Sequence, residues 1–368
     1  MTIAETHQTA GTSLPLNRYG DSAVFGAELD KLFRHEWLLV CREEDVALPG
    51  DRLGIDIVGE PVMVVRGSDG ELRCFSRLCR HRQAPLVDEG PGNGERFTCG
   101  YHRWSYRLDG SFIGGPLVGD SAELCTKSSN DCDLTPVPLE VWEGFVFVCL
   151  DRDALPLAPK LEPISEAISA YGVANQRTVV DRDEMWFANW KLALENASES
   201  YHHLGTHSTT IGPYAPPTRT WLARTTPDWV EHRTALVGER VEGAPEDAIE
   251  LPSEEMDAFR CFTIFPSTVI LLWRGSTNWL SFLPVAPDRT RARTGMSYAA
   301  EVAEDERWTQ ARAAIVEWYD TINGEDRALL ERVQAASSAR LARPGPLLPE
   351  EAAVAEFHRY LDRKLGAT

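Results

Sequence analysis

Two short stretches, CRHRQAPL at residues 79–86 and CGYHRWSYRLDG at residues 99–110, decide how this chain is to be read. Each opens on a cysteine and soon reaches a histidine, Cys79 with His81 and Cys99 with His102, and seventeen residues lie between His81 and Cys99. The four side chains offer two thiolates and two neutral imidazoles, a set that suits zinc as well as iron. Structural zinc sites usually pair one cysteine with another across two to four residues. Here each loop supplies one cysteine and one histidine, as is needed when one iron of a two-iron cluster takes both thiolates and the other both imidazoles.

Outward from these loops, residues 52–150 alternate short apolar runs such as 61–66, 72–76 and 145–150 with Gly, Asp and Pro punctuation. This pattern predicts a small all-β domain, placed at residues 46–155. Before it, residues 1–45 read as a polar leader and a helix over 25–40, with Leu29, Leu32, Phe33 and Trp37 at helical spacing, expected to pack on the catalytic domain. After it, residues 151–163 are rich in Pro and charge and read as a linker into a larger α+β domain, residues 156–368. Helical patterns cover 164–171, 190–204, 305–322, 326–341 and 350–365, while 261–265, 268–274, 279–284 and 293–300 read as strands. An antiparallel sheet flanked by helices is the expected architecture. The acidic stretch 239–255, broken by Gly243, Pro245 and Pro252, reads as an exposed loop.

The larger domain carries a second constellation, NWKLALENASESYHHLGTH at residues 189–207. At about 3.6 residues per turn, Glu195, Glu199 and His202 share one helical face, whereas His207 falls roughly 140° away from His202. A helix that loosens near Leu204-Gly205 would let both histidines meet one ion. Two histidines with one carboxylate form the facial triad that leaves positions on iron open for oxygen and substrate.

The two cluster stretches and the Glu-x-x-His-x4-His order of residues 199–207 resemble the Rieske non-haem iron oxygenases. From about residue 25 to residue 334 the chain is similar to their terminal oxygenase, or alpha, subunit in the ring-hydroxylating and carnitine-type superfamily. The resemblance implies a Rieske 2Fe-2S cluster with Cys79 and Cys99 on the buried iron and His81 and His102 on the outer one. Neutral imidazoles in place of thiolates lower the negative charge and raise the reduction potential. It further implies a mononuclear Fe(II) held by His202 and His207, with Glu199 as the carboxylate that bridges towards a cluster. Most relatives have Asp there, and a solvated helix carboxylate is the plainer reading of Glu199, with Glu195 as an alternative bridge. The third ligand is expected early in a late helix, where Asp326 shares a face with Leu330 and Val333 while Glu325 is turned away. Taken alone, that segment reads equally well as an acidic helix start. His203 reads as a structural or ligand-supporting histidine, Trp190 as packing and Asn189 as a hydrogen-bonding neighbour.

By the same resemblance, O2 is a co-substrate and electrons come from NAD(P)H through a ferredoxin or flavin reductase. A homotrimer is expected, in which the cluster of one subunit serves the iron of the next, and a separate small beta subunit is left open. The leading expectation is hydroxylation of a small aromatic or apolar organic substrate. The alternatives are oxidative N-demethylation of a quaternary ammonium compound and a non-catalytic electron carrier. Eight aromatic residues between Trp221 and Phe282 would suit either kind of pocket, and aromatic-rich strands are more often core.

The remaining properties narrow the classes. With 368 residues and 43% hydrophobic composition the chain can bury a sizeable core. A formal charge of −19, spread along the chain, disfavours nucleic acid and anionic membranes as partners. The N-terminus lacks a basic start, and no apolar run reaches the roughly 18 residues of a membrane span, so a cytoplasmic enzyme is expected. Cysteines outside the metal site are expected as thiols, with Cys41, Cys74, Cys149 and Cys261 in the core; Cys125 and Cys132 flank a polar loop.

Overall fold

The computed structural model describes residues 10–118, 132–238 and 244–366, in two compact units, Met1–Phe33 with Glu162–Thr368 and Arg34–Leu161. Cys125 and residues 239–243 of the acidic stretch lie outside the described residues. The rest of that stretch is ordered into a short turn, Pro245–Ala248, and a helix, Ser253–Met256.

The smaller unit is all β. Its five-stranded antiparallel sheet runs Pro136–Val137, Leu72–Ser76, Glu60–Arg66, Asp51–Ile57, Gly90–Asn93 in spatial order. Three-stranded sheets of Leu139–Trp142, Phe145–Val148 and Leu38–Arg42, and of Phe97–Thr98, Ser105–Tyr106 and Phe112–Gly114, complete it. The helix expected over 25–40 therefore ends early. Ser22–Glu28 is α-helical and Leu29–Phe33 a wider π turn, after which Leu38–Arg42 is a fully buried strand. A run of Leu38, Leu39, Val40 and Cys41 is apolar on every side, and such a run cannot be told from a buried helix by periodicity. Gly110 stands at φ +85°, where a Cβ would meet the Phe75 ring at 2.5 Å, so the Asp109-Gly110 turn can close onto the core only with glycine.

The larger unit is built on a seven-stranded antiparallel sheet. In chain order its strands are β1 (Arg177–Trp186), β2 (Thr220–Thr225), β3 (Trp229–Ala235), β4 (Ala258–Ile264), β5 (Thr268–Trp273), β6 (Ser276–Ala286) and β7 (Arg289–Tyr298). The spatial order is β1-β7-β6-β5-β4-β3-β2, a meander with β1 added at the far edge. Three helices matter for the site: α1 (Trp190–Ala197), α2 (Thr309–Ala335) and α3 (Ala352–Leu365). The sheet and its helices match the expected α+β class.

Three strands were not expected. β1 is an edge strand with Asp181, Arg182, Asp183 and Glu184 in sequence, and such charge suits an edge that must not pair further. β2 and β3 hold their register around a buried carboxylate, Glu231, which accepts from Arg224, Arg233 and Arg260. The helices expected at 305–322 and 326–341 are one element, α2, continuous through Asn323-Gly324. Cys132 is disulfide-bonded, not the thiol expected. Among the described residues no helix is long and apolar enough to cross a membrane.

Candidate metal centres

The two Cys-His loops of the smaller unit have the same backbone. In the first, the Cys79 N–H donates to Ala84 O at 2.9 Å and the Gln83 N–H to Cys79 O at 2.8 Å. In the second, Cys99 N–H donates to Trp104 O at 2.8 Å and Arg103 N–H to Cys99 O at 3.0 Å. Gln83 and Arg103, each four residues beyond its cysteine, take φ of +57° and +61°, a left-handed turn that bulky residues adopt only at a cost. Both loops thereby turn their cysteine inward. Cys79 and Cys99 are buried in a core of Met63, Phe75, Phe97 and Tyr106, with the Tyr106 hydroxyl 3.2 Å from Cys79 Sγ. Burial alone would raise the Cys99 thiol, but the N–H groups of Tyr101 and His102 and the Cys79 thiol outweigh it and hold the group below its ordinary pKa. In buried Cys261 desolvation outweighs the one donor beside it, the Thr263 hydroxyl, and the thiol is pushed up instead.

The imidazoles lie at the other, outer end of the quartet. His81 is exposed and His102 half-buried, their ring centroids 4.6 Å apart, and His81 stacks on Trp104 at 4.8 Å and 10°. His102 Nδ1 is buried without a hydrogen-bond partner among the described residues, which fits a nitrogen whose lone pair serves a metal. Two inner thiols and two outer imidazoles fit a two-iron cluster with one iron at each end.

In the larger unit the second constellation forms where α1 ends. Asn189 caps α1, its side chain accepting from Lys191 N at 3.0 Å, and the helix stops at Ala197. Residues 201–204 then form a tighter 3-10 turn, so the helix loosens before Glu199 and not at Leu204-Gly205 as the spacing had indicated. Gly212 closes the following loop with its N–H on His207 O, where a Cβ would lie 2.7 Å from His203 O and 2.9 Å from His207 O. These turns bring His202 and His207 onto α2, where His202, His207 and Asp326 each offer a ligand atom within 4.8 Å of the others. His207 Nε2 is 2.9 Å from Asp326 Oδ1 and His202 Nε2 is 3.7 Å from it. No hydrogen bond reaches Asp326 Oδ1 among the described residues, as expected of atoms that share an ion.

The other nitrogens of both rings are committed. His202 Nδ1 donates to Glu199 Oε1 at 2.6 Å, and His207 Nδ1 donates to Glu325 Oε2 at 2.7 Å. Each imidazole thus keeps its proton on Nδ1 and turns the lone pair of Nε2 towards Asp326. Glu199 also accepts from the N–H groups of Tyr201 and His202. Glu325, which the helical face had placed away from the site, is held by Thr210 Oγ1 at 2.9 Å, and only the returning 205–212 loop makes it a partner of His207. Glu195 is engaged elsewhere, accepting from Tyr19 at 2.8 Å and from His358 Nε2 at 3.0 Å. His203 donates from Nδ1 to Ala215 O at 2.9 Å, and burial lowers its pKa to about 3, so it is a neutral structural group beside the site.

A cavity of about 100 Å³ opens beside the triad. Phe259, Trp273 and Trp318 line it as two edge-to-face pairs sharing Trp273, with centroids 5.6 and 6.1 Å apart. Of the aromatic residues between Trp221 and Phe282, only Phe259 and Trp273 reach the cavity, and Trp318 comes from α2.

Comparison with known proteins places this geometry in a family. Residues 174–367 match the model of the ring hydroxylating alpha subunit (catalytic domain), and residues 36–128 that of the Rieske 2Fe-2S domain. The chain belongs to the ring-hydroxylating alpha-subunit family. An alpha subunit of this kind is an oxygenase with a Rieske 2Fe-2S cluster and a non-haem iron, using O2 and electrons from a reductase, which sets aside the non-catalytic electron carrier. The chain is 26% identical over 373 residues to the glycine betaine monooxygenase oxygenase subunit of Chromohalobacter salexigens, covering 91% of this chain and 81% of that one. To the carnitine monooxygenase oxygenase subunit of Acinetobacter baumannii it is 27% identical over 328 residues, covering 88% and 84%. Among solved structures, a quaternary ammonium Rieske monooxygenase shares the fold, with a TM-score of 0.82 at 24% identity over 97% of this chain and 96% of that one.

Proposed function

We propose that this alpha subunit hydroxylates a carbon bonded to the nitrogen of a quaternary ammonium compound, releasing an aldehyde and the smaller amine. Each turnover takes O2, two electrons and two protons, leaves one oxygen on the carbon and one in water, and the C–N bond then breaks as the hydroxyl becomes a carbonyl. The observation that carries this reading is the trio Phe259, Trp273 and Trp318 on the cavity beside His202, His207 and Asp326. Aromatic faces attract an ammonium group that has shed its water, by about 0.5–2 kcal/mol for each good contact. The names of the relatives at 26% and 27% identity point the same way.

In this reading Cys79, His81, Cys99 and His102 would hold the cluster, and His202, His207 and Asp326 the iron. When bound, the two centres supply the reductive activation of dioxygen. The chain's own part is positional. Glu199 and Glu325 fix the imidazole rings, Asp326 completes the ligand set, and the aromatic trio holds the ammonium head so that a neighbouring C–H faces the metal. Glu199 also forms the link by which the cluster of one copy serves the iron of another, within a homotrimer fed by a reductase or ferredoxin.

Hydroxylation of a neutral aromatic ring is the second reading, favoured by the apolar Leu271, Leu280 and Ile322 on the same cavity. The two readings differ in product. Reconstituted with a reductase and offered both kinds of compound, the enzyme is expected to release aldehyde in step with O2 uptake from the ammonium set. Phenol or diol from the aromatic set, with no aldehyde from the ammonium set, would replace the first reading by the second.

A further inference from the structure

The sheet side of the cavity is apolar with one exception. β4 contributes Phe259, β5 contributes Leu271 and Trp273, and β6 contributes Leu280 together with Asn278. Residues two apart on a strand share a face, as do residues directly paired across strands. Asn278 therefore shares its face with its partner Leu271 on one side, Met296 on the other, and Leu280 along the strand. It is half-buried, and its side-chain amide has no hydrogen-bond partner among the described residues. A carboxamide that faces the cavity among leucine and tryptophan, with neither its N–H nor its C=O held by a described side chain, is free to bond what enters there.

A second polar group lines the same cavity. Tyr319, on α2 two turns before Asp326, is 4% exposed, belongs to the same core cluster as Met296 and lines the cavity. Its hydroxyl is buried without a well-aligned hydrogen bond, although the side chains of Thr294 and Asn323 lie within reach of it. The Asn323 amide is committed elsewhere, donating to Tyr319 O at 3.0 Å. Both open groups are uncharged, and each can donate as well as accept.

We infer that Asn278, supported by Tyr319, receives an uncharged hydrogen-bonding group, a hydroxyl, carbonyl or carboxamide, on the end of the substrate away from the carbon that is oxidised. The inference rests on the ammonium reading above and adds the chemistry of the substrate's other end. A methyl group placed there leaves the amide unmet. A carboxylate placed there exchanges its hydration for one amide N–H and one phenol among apolar side chains, a poor replacement for water around a full charge. Asn278 is thus a specificity-determining residue that sorts ammonium compounds by their far end.

The test uses the full-length holoenzyme with a reductase and four trimethylammonium compounds of equal length, ending in hydroxyl, carboxamide, methyl or carboxylate. In the wild type the hydroxyl and carboxamide members are expected to exceed the methyl and carboxylate members in kcat/KM by about tenfold or more. Asn278→Leu should shrink the hydroxyl-to-methyl ratio by about tenfold, through KM and not kcat, with cluster and iron content retained. Asn278→Asp, of the same shape, should depress the carboxylate member relative to the methyl member by a further tenfold or so. A wild type that prefers the carboxylate, or ratios that neither variant moves, overturns the inference while leaving the ammonium reading in place. Absence of aldehyde from all four compounds overturns the ammonium reading and this inference with it.

Discussion

At the scale of single residues, the proposed iron site depends on Glu325 as well as on the groups that would touch the metal. Its Oε2 accepts a hydrogen bond from His207 Nδ1–H at 2.7 Å, which fixes the tautomer and ring orientation that aim Nε2 at Asp326. Outer partners of this kind typically contribute a factor of about 10–100 to metal affinity. Glu325→Gln keeps the shape but weakens acceptance of that proton, so the dissociation constant for the mononuclear iron, measured by chelator competition, is expected to rise about 10–100-fold. The visible absorbance of the cluster should not change. Unaltered iron affinity would reduce Glu325 to an ordinary acid on a helix surface. This residue also marks where the sequence stops being legible. The spacing of His202 and His207 and the helical face of Asp326 are local features, but their choice as ligands rests on the family resemblance, since the Asp326 segment alone reads equally well as an acidic helix start. The role of Glu325 depends on a loop more than a hundred residues earlier in the chain, closed by Gly212, and no local pattern carries that. The partners of Glu195 are equally non-local, since Tyr19 and His358 reach it from the two ends of the chain.

At the scale of elements, the sequence misleads where local preference and tertiary packing disagree. Asn323-Gly324 reads as a break, yet α2 runs unbroken from Thr309 to Ala335 because the faces on either side of it are both packed, Tyr319 above and Leu330 and Gln334 below. Gln334 accepts from Asn189 N–H at 2.9 Å and donates to Tyr19 O at 3.0 Å, tying the end of α2 to the start of α1. Helical glycine costs roughly 0.5–1 kcal/mol relative to alanine. A Cβ on Gly324 would meet nothing within 4 Å. Gly324→Ala is therefore expected to stabilise the larger unit by about 0.5–1 kcal/mol, read as a higher melting temperature of the holoenzyme with iron content unchanged. A lower melting temperature, or lost iron, would mean that the helix needs freedom one residue before Glu325. The opposite case is Leu38–Arg42, where burial on every side erased the alternation that distinguishes a strand. The paired strands β4 to β7, by contrast, were readable because turn residues punctuate them.

At the scale of the molecule, the Cys-His quartet proposed to hold the cluster lies in one compact unit and the His202, His207 and Asp326 triad proposed to hold the iron in the other. Whether an electron passes between them within a chain or between copies is decided by complementation. One parent carries His81→Ala with His102→Ala, which removes the proposed outer ligands of the cluster and leaves the proposed iron triad intact. The other carries Asp326→Ala, which removes a proposed iron ligand and leaves the Cys-His quartet intact. Neither parent can turn over alone, and no single chain in a mixture has both centres. If transfer runs only within a chain, every mixed assembly is dead. If the cluster of one copy serves the iron of its neighbour in a closed ring, a cluster-free copy beside a cluster-bearing one regains a complete pair. With equal amounts and random assembly, that arrangement occurs at about one quarter of all positions. Co-expression of the two parents is accordingly expected to restore substrate-coupled O2 uptake to about a quarter of the wild-type value, from a background near zero. Capture of one parent through a tag on the other establishes that mixed assemblies formed. Mixed assemblies without activity would place the electron path inside one chain and remove Glu199 as a link between copies.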